Sequence, residues 1–286
     1  MVRMVEVIAA RLHEGSLIPY LGPALQPPSQ VPSSPAELAG WLARHAPEPG
    51  LEARPGDLGF TAALLERQRG RRGLMKLLRE AFAPPAAPGP LHLLLAGLPR
   101  LPLAVSAFLD GTLLELLRAL ALAGGRSVGL VHGVSPGDGR GTFFAEAEGE
   151  GLTAAGRAET LVYQPLGTPV PAPAFLVTEA DAAAALLALP SQAPIPPEVQ
   201  RRRDGCGVLF VGCRLDWTVE RLFARGLLAG AAGPHFAVLP TDAGPGVAGF
   251  LAAEGITPLE LRPERFVAEL SQALVQAGSR PSASSG

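Results

Sequence analysis

The chain has no asparagine among its 286 residues, carries only two cysteines, and has a formal net charge of −2. Cys206 and Cys213 flank a predicted strand, a spacing that fits neither a CxxC metal knuckle nor a disulfide framework, so no structural zinc is expected. Nucleic acid and anionic membranes are poor partners for a balanced charge, because counterion release needs clustered, uncompensated Lys and Arg. The short arginine runs Arg67–Arg72 and Arg201–Arg203 are read as solvated helix faces.

Long apolar runs are also missing. The leucine-rich stretch Thr112–Ala123 contains Glu115 and Arg118 and is too short to span a bilayer. The amino terminus, MVRMVEVIAARLHEG, is interrupted by Arg3, Glu6 and Arg11, so it reads as an amphipathic helix and not a signal peptide. A soluble, cytoplasmic protein is expected. No Walker GxxxxGK[ST] or HExxH occurs, which leaves P-loop NTPase and metallopeptidase readings without local support.

What is present is a hydrophobic fraction of 48%, enough for a sizeable core, and a length compatible with one α/β domain. The 30 prolines and 34 glycines are read as compositional bias. Apolar periodicity predicts helices over 3–14, 57–69, 72–82, 90–96 and 112–123, with strands at Ser16–Leu21 and 101–107. Ser34-Pro35-Ala36-Glu37 is a capping box with proline at the first helical position. Residues 124–160 are Gly-rich and are expected to form an irregular insertion or hairpin around RSVGLVH and GTFFAEA. ETLVYQ and AFLVT read as strands, and Thr178-Glu179-Ala180-Asp181 as a helix start.

The last third alternates strand 207–212, helix from Asp216 to about 229, strand 235–240, helix 246–253, strand ITPLEL and helix 263–277. Such alternation predicts a Rossmann-like parallel sheet with helices on both faces, binding ligands at the carboxyl ends of its strands. One domain over 1–278 is expected, with a helical insertion at about 34–97 and a disordered Ser/Gly/Pro-rich tail at 279–286.

Read in order, four segments resemble the bacterial sirtuin-like, NAD-binding family. GSLIPYLGPAL resembles its first strand and Gly-Ala-Gly-x-Ser loop. LPLAVSAFLDGTLLELL resembles the segment with Thr-Thr-Asn-Tyr-Asp and a following Leu-Glu. VYQPLGTPVPAPAFLVTEAD resembles the strand ending in His-Gly with a downstream Thr-Glu-x-Asp, and GVLFVGCRLDWTVERLF resembles Leu-Phe-x-Gly-x-x-x-x-Asp-Trp. The resemblance implies NAD or a related nucleotide as ligand, bound near Gly22, Pro23, Ala24, Asp110, Gly167, Thr168, Gly212, Arg214 and Asp216.

It also implies an asparagine and a histidine for NAD cleavage, and here those positions fall on Phe108 or Leu109 and on Leu166. None of the three can position a water or accept a proton. Pro23 removes an N–H from the glycine loop, and alanine stands at its second glycine. His132-Gly133 is an alternative His-Gly pair and a weak candidate base. Each site residue also has a structural reading: Gly22-Pro23 as a strand-ending turn, Asp110 and Asp216 as helix caps, Trp217 as core.

Three functions stay open at this stage. One is a catalytically degenerate sirtuin-like protein that binds a nucleotide or a protein partner in the former NAD cleft. Another is an active NAD glycohydrolase of the sirtuin-like type, acting in phage defence, with His132 as base. The third is a structural assembly partner or homo-oligomer.

Overall fold

The computed structural model describes residues 2–23, 31–84, 86–134, 143–146, 157–168, 174–188, 195–215, 217–241, 244 and 246–278. Helix α1 (Val2–Glu14) buries Val5, Ile8, Ala9 and Leu12, the three-and-four spacing of one helical stripe. It stops at Gly15, whose φ of 74° suits the left-handed turn into strand β1 (Leu17–Leu21). There follow α2 (Pro35–His45), α3 (Leu58–Ala81), α4 (Pro90–Ala96), β2 (Leu103–Ser106), α5 (Thr112–Leu122), β3 (Val128–Val134), β4 (Phe143–Glu146) and β5 (Thr160–Gln164). A small hairpin, β6 (Gly167–Thr168) and β7 (Ala174–Phe175), leads to α6 (Glu179–Ala188) and α7 (Pro197–Arg203). The chain closes with β8 (Gly207–Val211), α8 (Thr218–Leu228), β9 (His235–Val238), α9 (Val247–Ala253), β10 (Ile256–Pro258) and α10 (Pro263–Gly278).

The main sheet runs β10-β9-β8-β1-β2-β5-β3-β4, parallel throughout except for the edge pair β3–β4. Its central strands are buried on both faces, which is why they read as continuous apolar runs. Alternation along each strand sends Leu21, Ala104, Val162 and Val211 to a core under α1, α4, α5 and α10. Tyr20, Val105, Tyr163 and Phe210 point the other way, toward α7, α8 and α9. The fold is therefore α/β and Rossmann-like, with helices on both faces.

After β1 the chain moves to β2 on one side, whereas after β8 it moves to β9 on the other. The two connections diverge from adjacent strands, and a crevice opens between their carboxyl ends. Over that edge sits a third core, built by α2 and α3 around Leu38, Leu42, Leu65, Leu74 and Leu78. Burying each of these leucines contributes about 2 kcal/mol before entropy is counted.

Helix α3 is broken at Gly70, with φ 71° and ψ 165°, dividing it where two separate helices are expected from periodicity. The next residue, Arg71, ties this helical cap to the small β6–β7 hairpin and the start of α6. Its guanidinium donates to Asp181 Oδ2 at 3.0 Å and to the Phe175 carbonyl at 2.9 Å, and lies 2.9 Å from Asp181 Oδ1.

Four expectations need correction. Arg71 is not on a solvated face, and neither are Arg202 and Arg203: Arg202 donates to the Pro102 and Glu159 carbonyls, and Arg203, 8% exposed, to those of Gly226 and Ala229. Arginine runs in a protein of modest charge serve here as carbonyl caps, a role that periodicity does not reveal. Within 124–160 the hairpin expectation holds for β3 and β4, but β3 is also an interior parallel strand pairing with β5, so the segment is no mere insertion. AFLVT forms a strand only at Ala174–Phe175, in a separate two-stranded sheet with β6. ITPLEL likewise is a strand only over Ile256–Pro258, with a last bond from Leu259 N to the Ala237 carbonyl before Leu259 and Leu261 pack in the first core. The predicted tail at 279–286 lies outside the described residues. No helix among the described residues is long and apolar enough to cross a membrane.

Candidate functional site

The floor of the crevice is set by a backbone contact. Gly22 N donates to the Val211 carbonyl at 2.8 Å, and a Cβ on Gly22 would stand 2.3 Å from Gly212 O and 2.4 Å from the Cys213 Cα. Only glycine allows β1 to close on the β8 turn this tightly. Gly212, at φ 72°, donates its own N–H to the Val238 carbonyl at 2.9 Å. These two amides are thus committed to the sheet, and strand packing alone accounts for both glycines.

Above this floor lies a 330 Å³ cavity. Its wall on the strand side is Ala107, Phe108, Leu109 and Leu166, and on the cap side Pro35, Leu58 and Gly59. Pro23, Leu176, Val177 and Trp217 complete the apolar lining, while Asp57, Glu179, Glu220 and Arg214 supply the charge. Phe108, Leu109 and Leu166 are all buried, and Phe108 packs edge-on to Phe82 at 5.9 Å between centroids. The cavity is at the small end of the range typical of ligand sites, ~300–1,000 Å³.

Helix N-termini around the crevice are largely occupied by the protein's own side chains. Ser34 Oγ accepts from Glu37 N at 3.2 Å at the start of α2, and Asp57 Oδ1 from Phe60 N at 2.9 Å at the start of α3. Asp110 Oδ1 accepts from Thr112 N at 2.9 Å ahead of α5. At α6, Asp181 Oδ2 accepts from Val177 N and Thr178 N, both at 3.0 Å, and Thr178 Oγ1 accepts from Asp181 N in return. Each carboxylate places negative charge where a bound phosphate would otherwise gain from the helix dipole. Helix α8 differs, beginning after Trp217 without a side-chain cap.

Of the residues singled out in the sequence, Pro23, Phe108, Leu109, Leu166 and Arg214 meet at the cavity, with Gly22 and Gly212 beneath. Asp110 is a buried helix cap and does not line it. Gly167 and Thr168 pair with Phe175 and Ala174 in the hairpin behind Leu166, also off the lining. Ala24 and Asp216 lie outside the described residues. His132 sits on β3 opposite Gln164, 2% exposed and absent from the cavity wall. Burial, with a smaller contribution from Arg118, pushes its pKa down to about 4, so the ring is neutral at pH 7.

Three charged residues were missed by sequence reasoning, namely Asp57, Glu179 and Glu220. Asp57 and Glu179 carried a signal as helix-start residues, but nothing in one sequence tells a cap from a cavity wall. Glu220 is 8% exposed and neighbours a buried polar group of Tyr20 and Cys213. Burial first, then Cys213 and Glu220, raises the Tyr20 pKa, and burial with Glu220 raises that of the Cys213 thiol despite an opposing backbone hydrogen bond at Val211. No group of His, Cys, Asp and Glu suited to a metal ion occurs among the described residues.

Compared with known proteins, the chain matches no protein-family description and no curated protein.

Proposed function

We propose that this chain is a degenerate sirtuin-like protein of the bacterial cytoplasm, which binds a small ligand of nucleoside size in its switch-point cleft and does not consume NAD. The reading is supported by one observation above all: Phe108, Leu109 and Leu166, at the positions where the resemblance implies an asparagine and a histidine, wall an apolar cavity. Side chains of this kind exclude water and supply contact area, but they neither orient a nucleophile nor carry a proton. An active glycohydrolase would need another base, and the His132 imidazole does not line the cavity.

The test is a nicotinamide-release assay together with thermal shifts for NAD, NADH, ADP-ribose, adenosine and nicotinamide. Expected is no release above a protein-free control, with stabilisation by at least one compound. Release would overturn the non-catalytic half of the reading. Silence from all five would remove the nucleoside-sized ligand.

A further inference from the structure

The charge in the cleft is of the wrong sign for a dinucleotide. Among the described residues lining the cavity, three are acidic, Asp57, Glu179 and Glu220, and one is basic, Arg214, so the balance of formal charge is negative. Arg54 approaches Asp57 only at 3.9 Å, with both side chains well exposed, and such a contact offsets little. The backbone amides of Gly22 and Gly212 are spent on carbonyls, and the N-termini of α3 and α6 on Asp57 and Asp181. A pyrophosphate would meet the Asp57 and Glu179 carboxylates at the cavity mouth. The apolar body of the cavity is meanwhile flanked by the Trp217 indole, whose π face attracts cations.

We infer that the cleft takes a flat, apolar organic cation, an aromatic amine by class, and turns away phosphorylated nucleotides. The proposal rests on the reading of the cleft as a ligand site and specifies what occupies it. The ring lies against Phe108, Leu166 and Trp217, and the ammonium faces Asp57 and Glu179 at the cavity mouth, where both carboxylates are exposed.

A series of constant shape and changing charge tests this directly: tryptamine (cation), tryptophol (neutral) and indole-3-acetate (anion), with ADP-ribose alongside, by calorimetry on the full chain at low salt. Two carboxylates several ångströms away in a wet site favour the cation over the neutral analogue by about tenfold, or about threefold each. Tryptamine should bind tightest, indole-3-acetate weakest, and added salt should compress the series. Asp57→Asn, which keeps an N-cap acceptor, and Glu179→Gln should each cut the tryptamine preference about threefold while leaving tryptophol unchanged. Equal affinities across the series, or ADP-ribose binding tighter than tryptamine, overturns the inference yet leaves the ligand site standing. If none of the four compounds binds at millimolar concentration, the inference fails, and the reading of the cleft then rests on the nucleoside panel alone.

Discussion

The contact that ties the helical cap to the β6–β7 hairpin and α6 can be removed with one substitution, and its worth can be estimated beforehand. Arg71→Met keeps the aliphatic stem but deletes the donors to Asp181 and to the Phe175 carbonyl. Asp181 has a side chain only 8% exposed and would retain the Val177 and Thr178 amides, so its charge stays partly satisfied. Breaking a fully buried pair costs about 3–5 kcal/mol, but Arg71 is 30% exposed and water can partly replace it, which brings the expectation to about 2 kcal/mol.

Asp181→Ala should cost about 4 kcal/mol, because it also orphans two amides in buried surroundings. Asp181→Asn keeps an acceptor and should cost about 2 kcal/mol, and in combination with Arg71→Met the losses should fall short of additive by at least ~1 kcal/mol. Urea unfolding gives the energies. Native-state hydrogen exchange then shows whether α2 and α3 open ahead of the sheet, with exchange there faster by about thirtyfold for a 2 kcal/mol loss. If Arg71→Met lies within about 0.5 kcal/mol of the parent, or the double mutant is additive, the cap is held by its leucine core alone and the clamp has been overvalued.

Gly22→Ala forces a Cβ into backbone atoms, so a destabilisation of about 3 kcal/mol is expected by thermal melting, and a neutral result would mean the strand ends are not locked together. The His132 pKa of about 4 lies below its unfolded value near 6.5, so the unfolded chain binds more protons between those values. Stability should accordingly fall as pH drops from 6.5 toward 4, by at most about 3 kcal/mol from this residue, and a flat urea midpoint between pH 7 and 4.5 would contradict its burial as a neutral ring. Tyr163, 1% exposed, has a hydroxyl without a hydrogen-bond partner among the described residues, so Tyr163→Phe should leave stability unchanged or raise it by up to ~1 kcal/mol, whereas a loss above that would reveal a partner for the hydroxyl. Cys213 is fully buried with a raised thiol pKa, and should react with a thiol reagent far more slowly in the native than in the unfolded protein; equal rates would place it at the surface.

The sheet was legible because its strands carry runs such as LPLAVSA and GVLFVG that only a doubly covered sheet can bury, and because helices and strands alternate after residue 207. The break at Gly70 was legible too, as a lapse in periodicity. The position of β3 was not: Val128–Val134 lies in a Gly-rich neighbourhood, and its pairing with β5 is a contact across thirty residues with no local signature. Pro23, Phe108, Leu109 and Leu166 could be gathered from strand order, since strand ends converge in a parallel sheet. The acidic wall could not, because Asp57 and Glu179 come from helices whose placement over the sheet depends on the Arg71 clamp and on the packing of the cap.

The Gly22–Gly212 contact bears on how this molecule behaves when empty. In a cleft where phosphate completes the hydrogen bonding of the first loop, the free protein carries unmet donors and firms up as ligand arrives. Here the Gly22 and Gly212 amides, where the two central strands end, are met by the Val211 and Val238 carbonyls, so those strand ends need nothing from outside to be joined. Ligand would add stability only through its own binding free energy, with the sheet equally ordered before and after, and the part of the fold left to answer an occupant is the cap hung on Arg71.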